Sequence, residues 1–216
     1  MSQRSHVEVG GWVARHYDLL MDLIGMGRYQ SFIEEAIGRM HIRPGDAILD
    51  IGSGTGRNIC VMLESSGPTG RIVGVDISQE MLRQARQRCQ AYPQVTFLEH
   101  RIEEPLPFCG EFDKAFISFT LHGFEDEDKE QVIANVYRAL KPGCAFWILD
   151  YNDFDLSRQL FPFRWVFRHF ECELASEFLY LDLKRMLARH GFGDFVSYPL
   201  LWGYVRLLGA EKLGEE

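Results

Sequence analysis

Short apolar runs alternate with amphipathic segments along most of the chain. Runs typical of buried strands lie at 47–51, 71–76, 95–98, 115–119 and 145–149. Between these runs, apolar residues recur every three or four positions, which is the pattern of helices with one buried face. One such face is formed by Val132, Ile133, Val136, Tyr137 and Leu140, and the Lys-Pro-Gly at 141–143 is predicted to end that helix. This alternation favours a mostly parallel sheet with helices on both faces.

Two further strands are predicted near the end of the sequence, at 195–198 and 204–208. They follow a late helix whose apolar stripe comprises Leu179, Leu183, Met186 and Leu187. The link between the two strands is too short for a parallel crossover, so one of them is expected to run antiparallel.

A glycine-rich turn follows the first predicted strand and precedes a helix. Its sequence over 50–56 is Asp-Ile-Gly-Ser-Gly-Thr-Gly. Glycines let the backbone turn tightly and let a ligand approach closely, at the sheet edge where open α/β folds bind ligands. The spacing differs from the GxGxxG of dinucleotide enzymes, and no Gly-Lys-Ser/Thr ending marks a nucleotide phosphate loop.

Two aspartates indicate what this turn could hold. Asp76 ends the second predicted strand, twenty residues after Gly56, where a carboxylate can accept hydrogen bonds from both hydroxyls of a ribose. Asp50 adds negative charge beside the turn, which suits an ammonium or a sulfonium. S-adenosyl-L-methionine carries a ribose, an ammonium and a sulfonium. The alternative is a glycine-rich connector beside two solvated carboxylates.

Four segments resemble class I S-adenosylmethionine-dependent methyltransferases: 49–56, 74–82, 112–122 and 140–143. The segments 17–27 and 188–212 are similar to the two ends of the ubiquinone/menaquinone-biosynthesis C-methyltransferase subgroup. The resemblance implies an α/β Rossmann-like fold with a seven-stranded, mostly parallel sheet whose last strand is antiparallel. It also implies S-adenosyl-L-methionine as the cofactor.

The same resemblance assigns roles in a cofactor site. Asp76 is expected to hold the ribose, with Ile77 and Met81 beside the adenine. Arg101 stands where the family usually has an aspartate that meets the adenine amino group, and arginine cannot accept a hydrogen bond. The adenine edge is therefore expected to be met by backbone or by Ile102. The predicted cofactor-binding residues are Asp50, Gly52, Ser53, Gly54, Thr55, Gly56, Asp76, Ile77, Met81, Arg101, Ile102 and Ser118.

Three residues are candidates for catalysis. His122 follows the fourth predicted strand and could act as a general base, or it could be a structural histidine bonded to a loop. Asp150 ends the fifth strand on the same edge and could orient the acceptor or the base, or it could be a solvated strand end. Tyr17 resembles a lid residue over the cofactor, against the alternative of an aromatic on a helix face.

Charge and cysteine spacing exclude several classes of function. The formal net charge is -8, and 115–120 lacks the Asn/Asp-Pro-Pro-aromatic run of nucleic-acid amino-methyltransferases, so no nucleic-acid partner is expected. Five cysteines without CxxC spacing indicate neither a disulfide framework nor a zinc site, and no metal is predicted. No apolar run approaches the length of a membrane span or a signal peptide, and a cytoplasmic location is expected.

One domain over 1–216 is predicted, with a helical lid at 1–40 and a cofactor-binding core at 41–150. A substrate wall at 151–180 and a closing helix with strands at 181–216 complete it. The segment 154–180 is dense in aromatic residues with arginines between them. Such a segment suits an apolar pocket wall, transient contact with a membrane surface, or a homodimer interface, against the alternative of ordinary packing of a helix on the sheet.

These observations together predict methyl transfer to a small, hydrophobic acceptor that resembles a quinone precursor. A second hypothesis is methylation of an amine or a phospholipid headgroup, with aromatic rings around the cation. A third, from another class, is a non-catalytic regulator that binds S-adenosyl-L-methionine.

Overall fold

The computed structural model describes residues 29–154 and 173–214. Seven strands form one sheet: β1 Ala47–Ile51, β2 Arg71–Asp76, β3 Val95–Glu99, β4 Phe112–Ser118, β5 Leu140–Tyr151, β6 Phe192–Leu200 and β7 Val205–Lys212. The helices around it are α1 Tyr29–Gly38, α2 Arg57–Ser66, α3 Gln79–Arg88, α4 Asp126–Ala139, α5 Glu173–Phe178 and α6 Leu183–Arg189. Single 3₁₀ turns span Leu121–Gly123 and Leu201–Gly203.

The sheet has the order β3-β2-β1-β4-β5-β7-β6. Strands β1 to β5 pair in parallel, whereas β7 pairs antiparallel with both β5 and β6. The predicted fold, with its antiparallel last strand, is therefore confirmed. The order changes direction between β1 and β4, and in open α/β sheets the crevice at such a point holds the ligand.

Side chains of successive strand residues point to opposite faces, and this places two separate cores. One face carries Leu49 and Ile51 of β1 and packs against α4 and α6. The other carries Ile48 and packs against α1 and α2. Asp50 alternates with Leu49 and so lies on the same face as Ile48, fully buried. We call these the α4 face and the α2 face.

Local helix signals in the sequence are also present in the structure. Ser78 caps α3, its Oγ accepting from the Met81 N–H at 3.4 Å. Asp182 caps α6 by accepting from the Arg185 N–H at 3.0 Å. The late helix predicted from the stripe is present as α6, which buries Leu183, Met186 and Leu187 and ends before Gly191. Leu179 lies before the cap of α6, directly after the short helix α5.

The last three strands, β5, β6 and β7, are longer than the apolar runs predicted. β5 begins at Leu140, so the Lys-Pro-Gly at 141–143 ends α4 but lies within the strand. The β4–β5 ladder shifts its register there, and this irregularity accommodates the proline. β5 extends to Tyr151 because β7 pairs with it from Ala145 to Tyr151. No helix among the described residues is long and apolar enough to cross a membrane.

Candidate active site

The glycine turn folds back onto the second strand. The backbone N–H groups of Gly52 and Ser53 both donate to the Val75 carbonyl, at 2.8 and 3.0 Å. The Gly56 N–H donates to the Ser53 carbonyl at 3.0 Å. This closes a tight bend at the carboxyl end of β1, directly before α2.

Three positive φ angles explain why the turn uses glycine. Gly52, Gly54 and Gly56 have φ of 68°, 51° and 73°, which side chains rarely adopt. A Cβ on Gly52 would lie 2.7 Å from the Thr120 Oγ1, and one on Gly56 would lie 3.1 Å from the Ala85 Cβ. A Cβ on Gly54 would meet nothing within 4 Å. Gly54 is therefore the point where the turn leaves open space for a ligand.

Asp76 connects this turn to the end of β2. Its Oδ2 accepts from the Gly54 N–H and its Oδ1 from the Ser78 N–H, both at 2.8 Å. Burial raises the pKa of Asp76, while the backbone bonds from Ser78, Gly54 and Ile77 act to lower it. A carboxylate offers about four acceptor positions, so lone pairs remain for ribose hydroxyls.

Asp50 is a buried acid without a compensating bond. Neither of its carboxylate oxygens has a hydrogen-bond partner among the described residues. Burial, followed by the negative charge of Asp76, raises the pKa of Asp50 from 3.8 to about 8. A cation beside Asp50 would offset this penalty, since an opposite charge favours the ionised carboxylate.

Side chains of neighbouring helices donate hydrogen bonds to Thr55 in the turn and to Ser118 at the end of β4. Arg88 at the end of α3 donates to both the carbonyl and the Oγ1 of Thr55, at 2.5 and 2.7 Å. The Ser118 Oγ, at the end of β4, accepts from the Asn58 Nδ2 at 2.9 Å. The buried Ser53 Oγ has no hydrogen-bond partner in the part of the chain that the structure describes.

The residues predicted to meet the adenine lie around the ends of β2 and β3. Ile77 is half-buried and Met81 is buried on α3. Arg101 forms an ion pair with Glu103, so its guanidinium already has an acidic partner. Ile102 is buried in the core of the α4 face, and its carbonyl accepts from the Asn135 Nδ2 at 3.0 Å.

His122 and Asp150 form a pair at the carboxyl ends of β4 and β5, in which Asp150 is buried and His122 is partly buried. The His122 Nδ1 lies 2.8 Å from the Asp150 Oδ1, and the His122 backbone N–H donates to the Asp150 Oδ2 at 3.2 Å. The Tyr151 N–H also donates to Oδ1, at 2.9 Å. An ionised carboxylate only accepts, so Nδ1 carries the hydrogen and Nε2 is left as an acceptor.

Aromatic rings surround this pair. The centroid of the His122 ring is 5.0 Å from that of Tyr151 and 6.4 Å from that of Phe178. The Phe119 ring is 6.0 Å from Tyr151, and Phe119 holds a φ of 47° that is rare for a side chain other than asparagine or aspartate. The described rings next to His122 therefore give this part of the rim a largely apolar surface.

Several predicted residues lie outside the described part of the chain. These are Tyr17 and most of the predicted lid, together with residues 155–172 of the predicted substrate wall. The sequence reasoning also missed residues that the structure brings to the site. Asn58 is one of them, and its sequence signal is a buried amide on an apolar helix face, which requires a specific partner. Arg206 was read as part of an apolar strand.

Comparison with known proteins agrees with this geometry. A family model described as a methyltransferase domain matches residues 48–143, which include the glycine turn, Asp76 and His122. Residues 48–143 therefore form a methyltransferase domain, of the class I S-adenosylmethionine-dependent type. The matched segment ends before Asp150, so β5 beyond residue 143 and the β6–β7 hairpin fall outside it.

Two relatives are informative about the subgroup. The chain is 33% identical to the ubiquinone/menaquinone biosynthesis C-methyltransferase UbiE of Bordetella avium over 146 residues, or 67% of this chain and 56% of that protein. It is 27% identical to the chloroplastic 2-phytyl-1,4-beta-naphthoquinone methyltransferase of Arabidopsis thaliana, over 93% of this chain and 84% of that protein. The chain spans 56–57% of the length of the UbiE relatives, whereas it spans 84% of the Arabidopsis protein.

Solved structures share the fold. A SAM-dependent methyltransferase from Aquifex aeolicus superposes with a TM-score of 0.68 at 18% identity, covering 94% of this chain and all of that one. Human N-acetylserotonin methyltransferase, solved in complex with SAM, gives a TM-score of 0.66 at 17% identity, covering 93% of this chain and 56% of that one.

S-adenosyl-L-methionine is the cofactor of this class, and the residues present fit it. The open side of Gly54 admits a ligand, Asp76 keeps acceptor positions for hydroxyls, and the buried Asp50 carboxylate calls for a cation. The described residues hold no group of three or more His, Cys, Asp or Glu that could bind a metal ion.

Proposed function

We propose that this protein transfers a methyl group from S-adenosyl-L-methionine to a carbon or oxygen of a small, hydrophobic acceptor that resembles a quinone precursor. The observation that carries the proposal is the His122–Asp150 pair, a partly buried base among aromatic rings on the same sheet edge as the glycine turn. The names of the two relatives, a quinone-biosynthesis and a naphthoquinone methyltransferase, support the same acceptor class.

When bound, the cofactor supplies an electrophilic methyl group on a positively charged sulfur. Gly54 and Asp76 bind its nucleoside, and Asp50 provides the negative charge that a cationic ligand requires. Because Gly52 packs against Thr120 and Ser53 bonds to β2, the turn is positioned before any ligand arrives. Such preorganisation reduces the entropic cost of aligning two reactants.

His122 is assigned the proton transfer. Its Nε2 accepts the proton of an acidic hydroxyl on the acceptor, and Asp150 holds Nδ1–H and stabilises the imidazolium that results. The surrounding rings of Tyr151 and Phe178 keep water away and match a flat apolar acceptor. When an oxygen is methylated, the proton then passes from Nε2 to solvent, which restores the base. When a ring carbon is methylated, that carbon loses its own hydrogen as a proton to solvent and the oxygen takes back the proton held by Nε2, so the base is restored in this case as well.

A base at this position favours carbon or oxygen methylation over the alternative of an amine acceptor. A cation enclosed only by aromatic rings would need no base, whereas here a carboxylate-held imidazole lies among those rings.

The cytoplasmic location, the homodimer and transient contact with a membrane surface belong to the same proposal, and they rest on the sequence alone.

The test is a methylation assay on the full chain. The chain is incubated with S-adenosyl-L-methionine and, in turn, a naphthohydroquinone, a catechol and phosphatidylethanolamine vesicles, and S-adenosylhomocysteine and the methylated product are measured by mass spectrometry. We expect methylation of the first or second acceptor. We expect His122→Asn to lower kcat by about 10²–10⁴-fold, the usual contribution of a general base, without changing S-adenosylhomocysteine binding.

The matched control is His41→Asn, since His41 is exposed in the turn after α1. It should leave kcat unchanged. Methylation of phosphatidylethanolamine alone would favour the amine hypothesis. Binding of the cofactor without turnover on any acceptor would favour the non-catalytic regulator.

A further inference from the structure

Arg206 is a buried cation whose hydrogen-bonding capacity is only partly used. It is the second residue of β7, and its side chain is 6% exposed. Its Nη1 donates to the Asp153 Oδ2 at 2.9 Å. Its Nη2 is buried and has no hydrogen-bond partner among residues 29–154 and 173–214. A guanidinium donor removed from water without an acceptor is costly, so such a group signals a missing partner.

The position of Arg206 places it beside the proposed base. In the antiparallel β5–β7 ladder, Arg206 lies directly opposite Asp150. Residues opposite each other in a ladder project from the same face of the sheet, with Cβ atoms about 4.5–5.5 Å apart. Because β7 runs antiparallel, its beginning meets the carboxyl end of β5. Arg206, Asp150 and His122 therefore share one corner of the rim.

Neighbouring acids do not use the free nitrogen. The Asp150 carboxylate already accepts from the His122 side chain and from the backbone N–H groups of His122 and Tyr151. Asp153 takes only Nη1, and its side chain is 60% exposed, so water screens its charge. A positive charge with one unmet donor is left near His122, and its natural ligand is an anionic oxygen.

We propose that the Arg206 Nη2 binds an anionic oxygen of the acceptor, and that the acceptor is accordingly a phenol or enol whose hydroxyl ionises in the site. This inference rests on the proposed methyl transfer and names its substrate class. The acceptor O–H bond breaks, the proton passes to the His122 Nε2, and the oxygen keeps the electron pair. The negative oxygen is then held by the guanidinium, which favours ionisation.

The alternative role of Arg206 is a structural tie between β7 and the segment after β5. Two substitutions separate these roles because they act in opposite directions on the charge. Arg206→Gln removes the positive charge, whereas Asp153→Asn removes the acid that competes for the guanidinium. A purely structural ion pair would be weakened by both substitutions. Binding of an anionic oxygen would be weakened by Arg206→Gln and strengthened by Asp153→Asn.

The test uses 4-nitro-1-naphthol, a two-ring phenol whose ionised form absorbs in the visible range. The full chain, saturated with S-adenosylhomocysteine, is titrated with the probe at a series of pH values, and the ionisation midpoint of the bound probe is read from its absorbance. We expect the wild-type chain to lower the midpoint by about one pH unit, which is a tenfold preference for the anion. Arg206→Gln should abolish that shift, Arg206→Lys should retain part of it, and Asp153→Asn should enlarge it.

Arg71→Gln is the matched control. Arg71 is also the partner of a carboxylate, Glu111, but it lies at the opposite end of the sheet, so its substitution should leave the midpoint at the wild-type value. Urea unfolding midpoints of all variants establish that they are folded. His122→Asn should keep the shift, because the charge that holds the oxygen is still present.

The inference is overturned if the wild-type chain does not bind the probe, or if bound probe ionises at the same pH in the wild-type chain and in Arg206→Gln. It is also overturned if Asp153→Asn reduces the shift as Arg206→Gln does. A chain that lowers the midpoint but methylates none of the acceptors tested would keep the oxyanion site and lose the proposed function. Methylation of an acceptor without a midpoint shift would keep the proposed function and overturn the oxyanion site.

Discussion

The Gly54 N–H donates to the Asp76 Oδ2 at 2.8 Å, so the acid that ends β2 also fixes the glycine turn after β1. The same carboxylate holds the Ser78 N–H at the start of α3. Asp76 is therefore both a candidate ribose ligand and the residue that joins two loops. A substitution there acts on the shape of the site as well as on one contact.

Asp76→Asn should weaken S-adenosylhomocysteine binding by about 1.5–3 kcal/mol, the range for hydrogen bonds to charged groups. The amide keeps one acceptor oxygen but cannot accept from Gly54 and Ser78 at both positions and also from hydroxyls. Isothermal titration calorimetry measures the change. Asp194→Asn, at an exposed position on β6, should bind with unchanged affinity. Equal affinity in the two variants would place the ribose elsewhere.

Gly54→Ala should leave the chain folded but remove cofactor binding. A Cβ at Gly54 would meet no protein atom within 4 Å, so it would enter only the open space assigned to the ligand. The left-handed conformation at φ 51° costs about 1–2 kcal/mol for alanine. Gly110→Ala is the matched control, with φ of 63°, open space around it and a position before β4 at the opposite edge. Thermal unfolding should lose similar stability in both variants, whereas calorimetry should show lost binding only in Gly54→Ala.

Asp50 should make the ligand-free chain less stable as pH rises. Its folded pKa of about 8 lies above the unfolded value of 3.8, so the folded state holds a proton that the unfolded state releases between these values. The free energy of unfolding should therefore fall by up to about 1.4 kcal/mol per pH unit across that window, relative to Asp50→Asn. Urea unfolding at pH 5, 6 and 7 measures the difference between the two chains. A constant difference would show that Asp50 is already ionised.

Asp150→Asn should lower kcat by about 10²–10⁴-fold while His122 remains in place. An amide nitrogen facing Nδ1 favours the tautomer in which Nε2 carries the hydrogen, and this form cannot accept a proton from the acceptor. The KM for the acceptor should change less than kcat, because the aromatic wall is kept. Steady-state kinetics on the best acceptor of the panel tests this, with Asp194→Asn as control. A kcat equal to that of the control would assign Asp150 a purely structural role.

The sequence was most informative where chain breakers flank a buried strand. The predicted bounds 47–51 and 71–76 agree with β1 and β2. Glycine and proline precede both runs, at 44–45 and 67–70, and the glycine turn and the Ser78 cap follow them. Both strands are also enclosed by parallel neighbours, which requires an uninterrupted apolar run. β5 exceeds its prediction at both ends, because Leu140 pairs with Phe112 of β4 and the last two residues of β5 pair with β7.

The sequence predicted that the site residues lie on one edge of the sheet, but it did not predict which of them are in contact. Parallel strands bring His122 and Asp150 to the same rim, whereas their direct bond depends on the 3₁₀ turn Leu121–Gly123. Arg206 did leave a signal in the sequence. It is a charged residue between Val205 and Leu207 in a buried strand, and such a charge calls for a specific partner.

The place of β7 in the sheet has a kinetic consequence. Strand β6 precedes β7 in the chain, yet it reaches the sheet only by pairing with β7, which occupies the position beside β5. During synthesis on the ribosome, β5 therefore keeps an unpaired edge until β7 has emerged. Assembly of this corner closes a long loop late, so we expect it to be a slow folding step and the stage at which the nascent chain is most prone to aggregation.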